Sequence, residues 1–122
     1  MKKKVSKYRN TKVEYKGIVF DSRKERDYYM ILKDREQKGE IYDLKLQVPY
    51  ELQPAYELNG KKIRPITYIA DFVYMERLKS DIPSSIEVIA DVKPSKDYQT
   101  EVYKLKKKLF EYKYHVEIKE LY

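Results

Sequence analysis

The hydrophobic pattern of the chain switches between a period of two and a period near 3.6. Val13–Phe20 reads as two short strand pieces around Lys16-Gly17, which predicts a hairpin. Asp21-Ser22 supplies a helix start, Ser22-x-x-Glu25 fits a capping box, and Gly39 stops a helix reaching about Lys38. Ile41–Leu52 holds strand-like stretches interrupted at Pro49. Asn59-Gly60 predicts a turn joining Ala55–Leu58 to Lys62–Tyr74. Glu76–Ser85 is polar and reads as a loop, and Ile86–Lys93 is strand again, ended by Pro94. A second helix is expected from Gln99 or Thr100 to about Tyr112, with Val102, Leu105, Leu109 and Tyr112 as its single apolar stripe. His115 and Val116–Leu121 read as a short closing strand. Hairpin, helix, strands, helix and strand in this order predict an α/β domain with a mixed central sheet.

Three acids break the apolar pattern. On a helical wheel Glu25 falls between Tyr28, Tyr29 and Leu32, while Arg23, Asp27 and Asp34 lie opposite. A capping role for Glu25 and a role in a site are both open, and one carboxylate can serve both. Asp71 sits within Ile66–Tyr74, where alternation places Ile69, Asp71 and Val73 on one face and Ala70, Phe72 and Tyr74 on the other. Aspartate is depleted in strands and costly to bury without a partner. Asp91 and Lys93, two apart at the end of an apolar strand, leave the same face. Taken alone, that pair is equally an ordinary ion pair.

Composition narrows the chemistry. The 122 residues allow one domain, and the absence of cysteine excludes disulfides, a thiol nucleophile and Cys-ligated zinc. One histidine leaves no His-based metal cluster. No apolar run approaches a membrane span and no cleavable signal pattern opens the chain, which implies a soluble, cytoplasmic protein. The net charge of +7 is concentrated: Lys2, Lys3, Lys4, Lys7, Arg9 and Lys12 contribute +6 with no acid among residues 1–12. Residues 1–10 are read as a flexible basic tail and 11–122 as the single domain. Lys104, Lys106, Lys107, Lys108 and Lys113 form a second basic cluster. The two clusters favour an anionic polymer as partner, with Lys2, Lys3, Lys4, Lys7, Arg9, Lys12, Lys104, Lys107 and Lys108 as candidate DNA contacts.

Carboxylates beside a lysine, in a chain expected to bind a polyanion, suit phosphodiester hydrolysis. That reaction needs charge stabilisation at the phosphate and an activated water. Mg²⁺ takes oxygen ligands, and Asp71, Asp91 and the Val92 carbonyl can supply them, with Lys93 positioning the water or steadying developing charge.

These residues resemble the PD-(D/E)xK nuclease superfamily, whose restriction-endonuclease-like core has a similar element order. Asp71 matches its first acid, Asp91-Val92-Lys93 its (D/E)xK element, and Glu25 the glutamate of its first helix. More narrowly, Phe20-Asp21-Ser22-x-x-Glu25-x-x-Tyr28-Tyr29, Ile69-Ala70-Asp71-Phe72 and Glu101-Val102-Tyr103-Lys104-Leu105-Lys106 resemble small phage-encoded endonucleases regarded as Holliday-junction-resolvase-like. Ala70 stands where proline is common, and Pro94 where many relatives carry glycine. Gln99-x-x-x-Tyr103 is similar to an element of exonuclease-type members. The resemblance implies a Mg²⁺-dependent endonuclease acting on branched DNA in phage recombination, with Mn²⁺ substituting and no small-molecule cofactor. Glu25, Asp71 and Asp91 would hold the metal, Lys93 would assist catalysis, and Gln99 and Tyr103 would support the site. Cutting two strands of a junction implies a homodimer. Alternatives are a non-catalytic DNA-binding accessory module, or a nuclease acting on flaps, single strands or ends.

Overall fold

In the computed structural model, which describes residues 11–122, the chain runs β1 (Val13–Tyr15), β2 (Ile18–Phe20), α1 (Arg23–Gln37), β3 (Ile41–Gln53), β4 (Tyr56–Leu58), β5 (Lys61–Ile63), β6 (Ile66–Arg77), β7 (Ser85–Val92), α2 (Glu101–Tyr114) and β8 (Lys119–Leu121). The expected basic tail, residues 1–10, lies outside the described residues. The β1–β2 and β4–β5 ribbons turn on Lys16-Gly17 and Asn59-Gly60, where both central residues have positive φ, as a two-residue type I′ turn requires. The main sheet has the order β3-β6-β7-β8, with β3, β6 and β7 antiparallel and β8 parallel to β7. This is the expected α/β architecture: a mixed central sheet, two helices and an N-terminal hairpin.

Alternate residues of the sheet reach opposite helices. Phe72, Tyr74, Val88 and Ala90 pack with Tyr29 and Leu32 of α1, while Val73 and Ile89 pack with Tyr103 and Phe110 of α2. The alternation breaks on β3 near Asp43, between Ile41 and Leu44 of the α1 core, and again further on, in two strands together. On β3, Leu44 and Leu46 join the α1 core but Val48, Tyr50 and Leu52 join the α2 core. On β6, Phe72 and Tyr74 lie with α1 but Tyr68 and Ala70 with α2. The exchange occurs at Gln47 and Asp71, which face one another between the Leu46↔Phe72 and Val48↔Ala70 pairs. Gln47 adopts φ 51°, a left-handed conformation that is unfavourable for a side-chain-bearing residue. The expected grouping of Ile69, Asp71 and Val73 on one face is therefore corrected: Val73 is buried, whereas Ile69 is half exposed.

Several boundaries also differ from the sequence reading. Pro49 does not interrupt β3, because β3 is an edge strand where a missing N–H is tolerated. Residues 55–74 are not one continuous hairpin, since Pro54 and Pro65 separate β4 and β5 from the long strands. The polar loop is shorter than 76–85, as β6 continues to Arg77 and β7 begins at Ser85. His115 begins no strand; it caps α2 in the left-handed region, at φ 57°.

The largest correction concerns α2. Its expected core stripe faces solvent: Val102 is 64% exposed, Leu105 57% and Tyr112 80%. The helix carries a second, aromatic stripe on nearly the opposite side, and the sheet selects that one. Phe110 packs against Tyr50 and Tyr68 with ring centroids 5.0 and 5.3 Å apart, and Tyr114 against Tyr50 at 5.5 Å. Rings of this size remove more apolar surface from water than the aliphatic stripe does. Phe110→Ala is accordingly expected to cost about 3–5 kcal/mol in chemical denaturation. Leu105→Ala should stay within about 0.5 kcal/mol of wild type.

Candidate active site

Each of the four sequence-selected groups is delivered by a different local device. Ser22 caps α1, its Oγ accepting the Glu25 N–H at 3.1 Å, and this fixes Glu25 in the first turn on the same side as Tyr29 and Leu32. The Glu25 side chain turns inward, with 6% of the residue exposed, and accepts from Gln47. Asp71 sits where β6 parts from β7: their pairing ends at Phe72↔Ala90, and the Asp71 carboxylate instead accepts the Val92 N–H at 2.8 Å. Asp91 lies on β7, buried to 4% exposure, in register with Glu120 of β8. Lys93 follows the strand end, tied down by its own N–H to the Leu121 carbonyl at 2.8 Å. Glu25, Asp71, Asp91, Val92 and Lys93 line a single cleft of about 420 Å³, together with Tyr68, Tyr103 and Lys106.

The charges in this cleft are only partly answered. Gln47 Nε2 donates to Glu25 Oε1 at 3.2 Å and to Asp71 Oδ1 at 3.1 Å, so one neutral amide bridges two acids. Lys93 Nζ meets Asp91 Oδ2 at 2.5 Å, with both side chains largely shielded from water. Burial, then the charges of Asp21 and Asp91, push the Glu25 carboxyl up to about 7. Asp71 is also raised above the ordinary carboxylate range, by burial first and then by Asp91 and Glu25, with the Val92 N–H opposing. The Tyr68 hydroxyl is buried beside Asp91 with no hydrogen bond of normal distance and angle, and burial followed by the Asp91 charge raises its pKa.

A cluster of carboxylates in which burial and neighbouring acidic charges raise Glu25 and Asp71 is a donor set suited to a hard, oxygen-seeking cation such as Mg²⁺ or Mn²⁺. Among the described residues, no three acidic or histidine side chains stand together as a ready ligand group. The Gln47 amide bridges Glu25 and Asp71, and the Lys93 ammonium engages Asp91. Val92 lies in the cleft, and its N–H is committed to Asp71.

The supporting and basic candidates are placed less uniformly. The side chains of Gln99 and Tyr103 hydrogen-bond to Glu120 and to none of Glu25, Asp71 and Asp91. Lys12 pairs with Asp21 at 3.0 Å on the surface, and Lys104 with Glu101 at 3.4 Å. Lys107 does not belong to an open basic face: its ammonium turns toward the sheet and pairs with Glu120 at 3.2 Å, because that carboxylate is nearly buried and needs a counter-charge. Lys108 is exposed. Lys2, Lys3, Lys4, Lys7 and Arg9 lie outside the described residues. Sequence reasoning missed Gln47, Lys24 and Glu120. Lys24 Nζ donates to the Lys93 and Pro94 carbonyls at 3.0 Å each, holding the segment after β7 against α1. The available signal for Gln47 was a lone amide within Leu44-x-Leu46-x-Val48, which gains meaning only once β3 is paired with β6.

The raised carboxyls make stability depend on pH. A carboxyl whose folded pKa lies above its unfolded value binds more protons when folded, so its contribution is full at low pH and is lost as pH rises through the folded value. Without divalent cation, the melting temperature should fall between roughly pH 4.5 and 7, the window set by Glu25. Asp71→Asn should flatten that fall and raise the melting temperature at pH 8 in a thermal-denaturation series. A wild-type profile that climbs steadily across this range contradicts the charge crowding.

No curated protein and no solved structure matches the chain. A family described as a protein of unknown function, DUF1064, matches residues 5–121 and so spans every element of the fold. The chain belongs to the DUF1064 family.

Proposed function

We propose that this protein is a Mg²⁺-dependent DNA endonuclease of the PD-(D/E)xK type, acting on branched DNA in the cytoplasm, with Mn²⁺ substituting. The observation that carries the reading is the convergence of Glu25, Asp71, Asp91 and Lys93, spread over 69 positions of the chain, on one cleft whose negative charge is incompletely compensated. Glu25, Asp71, Asp91 and the Val92 carbonyl would hold the metal, which supplies charge neutralisation at the phosphate and a water of lowered pKa.

The chain's own groups divide the remaining work. Lys93 keeps a positive charge at the cleft wall, where it can steady negative charge on the phosphate oxygens. Gln47 holds Glu25 and Asp71 apart at a fixed spacing. Lys24 fixes the backbone that carries Lys93. Lys106 at the cleft, and Lys104 and Lys108 on the exposed side of α2, would draw in the phosphate backbone, with the N-terminal lysines adding sequence-independent contacts. Cleavage of two strands of a junction would take two copies of the site, and hence a symmetric homodimer.

A second reading, a DNA-binding accessory module without chemistry, is favoured by one fact: Gln47 and Lys93 already partner the carboxylates. Cleavage assays separate the two. Purified protein with Mg²⁺ should nick a four-way junction and stop when EDTA is added. Asp91→Asn should lower the rate at least about 100-fold with the fold intact and junction binding retained. Junction binding by wild type without any cleavage in Mg²⁺ or Mn²⁺ supports the accessory reading instead.

A further inference from the structure

Among the described residues, the Lys93 ammonium meets two groups. One is Asp91; the other is the face of the Tyr103 ring, whose centroid lies 3.4 Å from Nζ, well inside the range of a cation–π contact. That ring does not lie free on α2. Its hydroxyl donates to Glu120 Oε2 at 2.7 Å, and Glu120 stands in register with Asp91 on the neighbouring parallel strand. Glu120 is itself held from several sides, by Lys107 at 3.2 Å, by the Tyr122 hydroxyl at 2.5 Å and by the Gln99 side chain. Burial alone would raise its pKa, yet the hydrogen bonds from Tyr122, Tyr103, Lys107 and Gln99 hold it down to about 2, so it accepts hydrogen bonds as a carboxylate at any working pH. The Gln99-x-x-x-Tyr103 spacing thus has a shared partner that the sequence did not reveal.

We propose that Glu120 and Tyr103 form a seat that fixes the Lys93 ammonium beside Asp91, and that both are positioning residues for the reaction proposed above. The inference rests on that reading for its kinetic consequence, while the seat itself is a matter of geometry. A lysine has four rotatable bonds, so the hydrogen bond from the Lys93 N–H to Leu121 places its backbone without fixing where Nζ goes. An ion pair with Asp91 sets one distance and leaves the direction open. The ring face sets the direction, and Glu120 sets the ring.

The test uses the full chain with ¹³C-labelled lysine, and the Lys93 signal is assigned by its loss in Lys93→Arg. Over an aromatic face the Lys93 ε-protons resonate upfield of the other lysines. Tyr103→Leu should return them to the common position, and Glu120→Gln should reduce the shift while the ring is still present. In Mg²⁺-dependent junction cleavage, Tyr103→Leu and Glu120→Gln should lower kcat by about 10-fold or more with KM nearly unchanged, since a misplaced group costs rate and not substrate binding. Tyr103→Phe, which keeps the ring and the fold, should recover most of the shift and part of kcat. A Lys93 signal that stays put in Tyr103→Leu overturns the seat. A seat that is present, with kcat unchanged in both Tyr103→Leu and Glu120→Gln, overturns the positioning role. If wild type cuts no DNA, the proposed function fails and takes the kinetic role with it, while the Lys93 shift still decides the seat.

Discussion

The constraint on which this structure turns is the confinement of Glu25, Asp71 and Asp91 to one cleft, where the Lys93 ammonium pairs with Asp91 and the neutral Gln47 amide bridges the other two. Removing an ionised carboxylate from water costs several kcal/mol unless a partner compensates. Here the compensation is incomplete, and burial and mutual repulsion drive Glu25 and Asp71 toward their protonated forms. A fold selected only for stability would place apolar side chains in this cleft. Under the proposed function, a divalent cation would complete the charge balance.

The sheet creates the confinement by failing to be regular. β3 and β6 exchange faces together at Gln47 and Asp71, and β6 leaves β7 at the same level. Two features follow from that corner. The Asp71 carboxylate takes over the Val92 N–H at the point where the ladder ends, and Gln47 is brought opposite it in a conformation that costs backbone energy. Both helices then close the corner, α1 through its capped first turn and α2 through Tyr103. A costly backbone conformation at Gln47 and crowded charge thus meet at one corner of the sheet.

Much of this was legible in the sequence, for definite reasons. Glu25 was exposed by the helical wheel, because a charged residue amid Tyr28, Tyr29 and Leu32 conflicts with simple amphipathicity. Asp91 and Lys93 were legible because strand periodicity is local and needs no knowledge of the partner strand. Asp71 was identified correctly as anomalous, but its face was not, since alternation assumes an unbroken pleat and the break lies at that residue. The α2 stripe misled because the helix is apolar on two sides, and periodicity cannot choose between an aliphatic and an aromatic face. That choice was made by Tyr50 and Tyr68, far off in the chain. Gln47 and Glu120 had no local signature at all, because each acquires its role through a neighbouring strand.

The most direct test of the account is a count of bound Mn²⁺, with the free ion followed by electron paramagnetic resonance as the wild-type protein is titrated at neutral pH. The account predicts one saturable site per chain, abolished or strongly weakened by Asp71→Asn and by Asp91→Asn, and untouched by Leu105→Ala on the far side of α2. Absence of saturable binding, or binding indifferent to both aspartates, would contradict it.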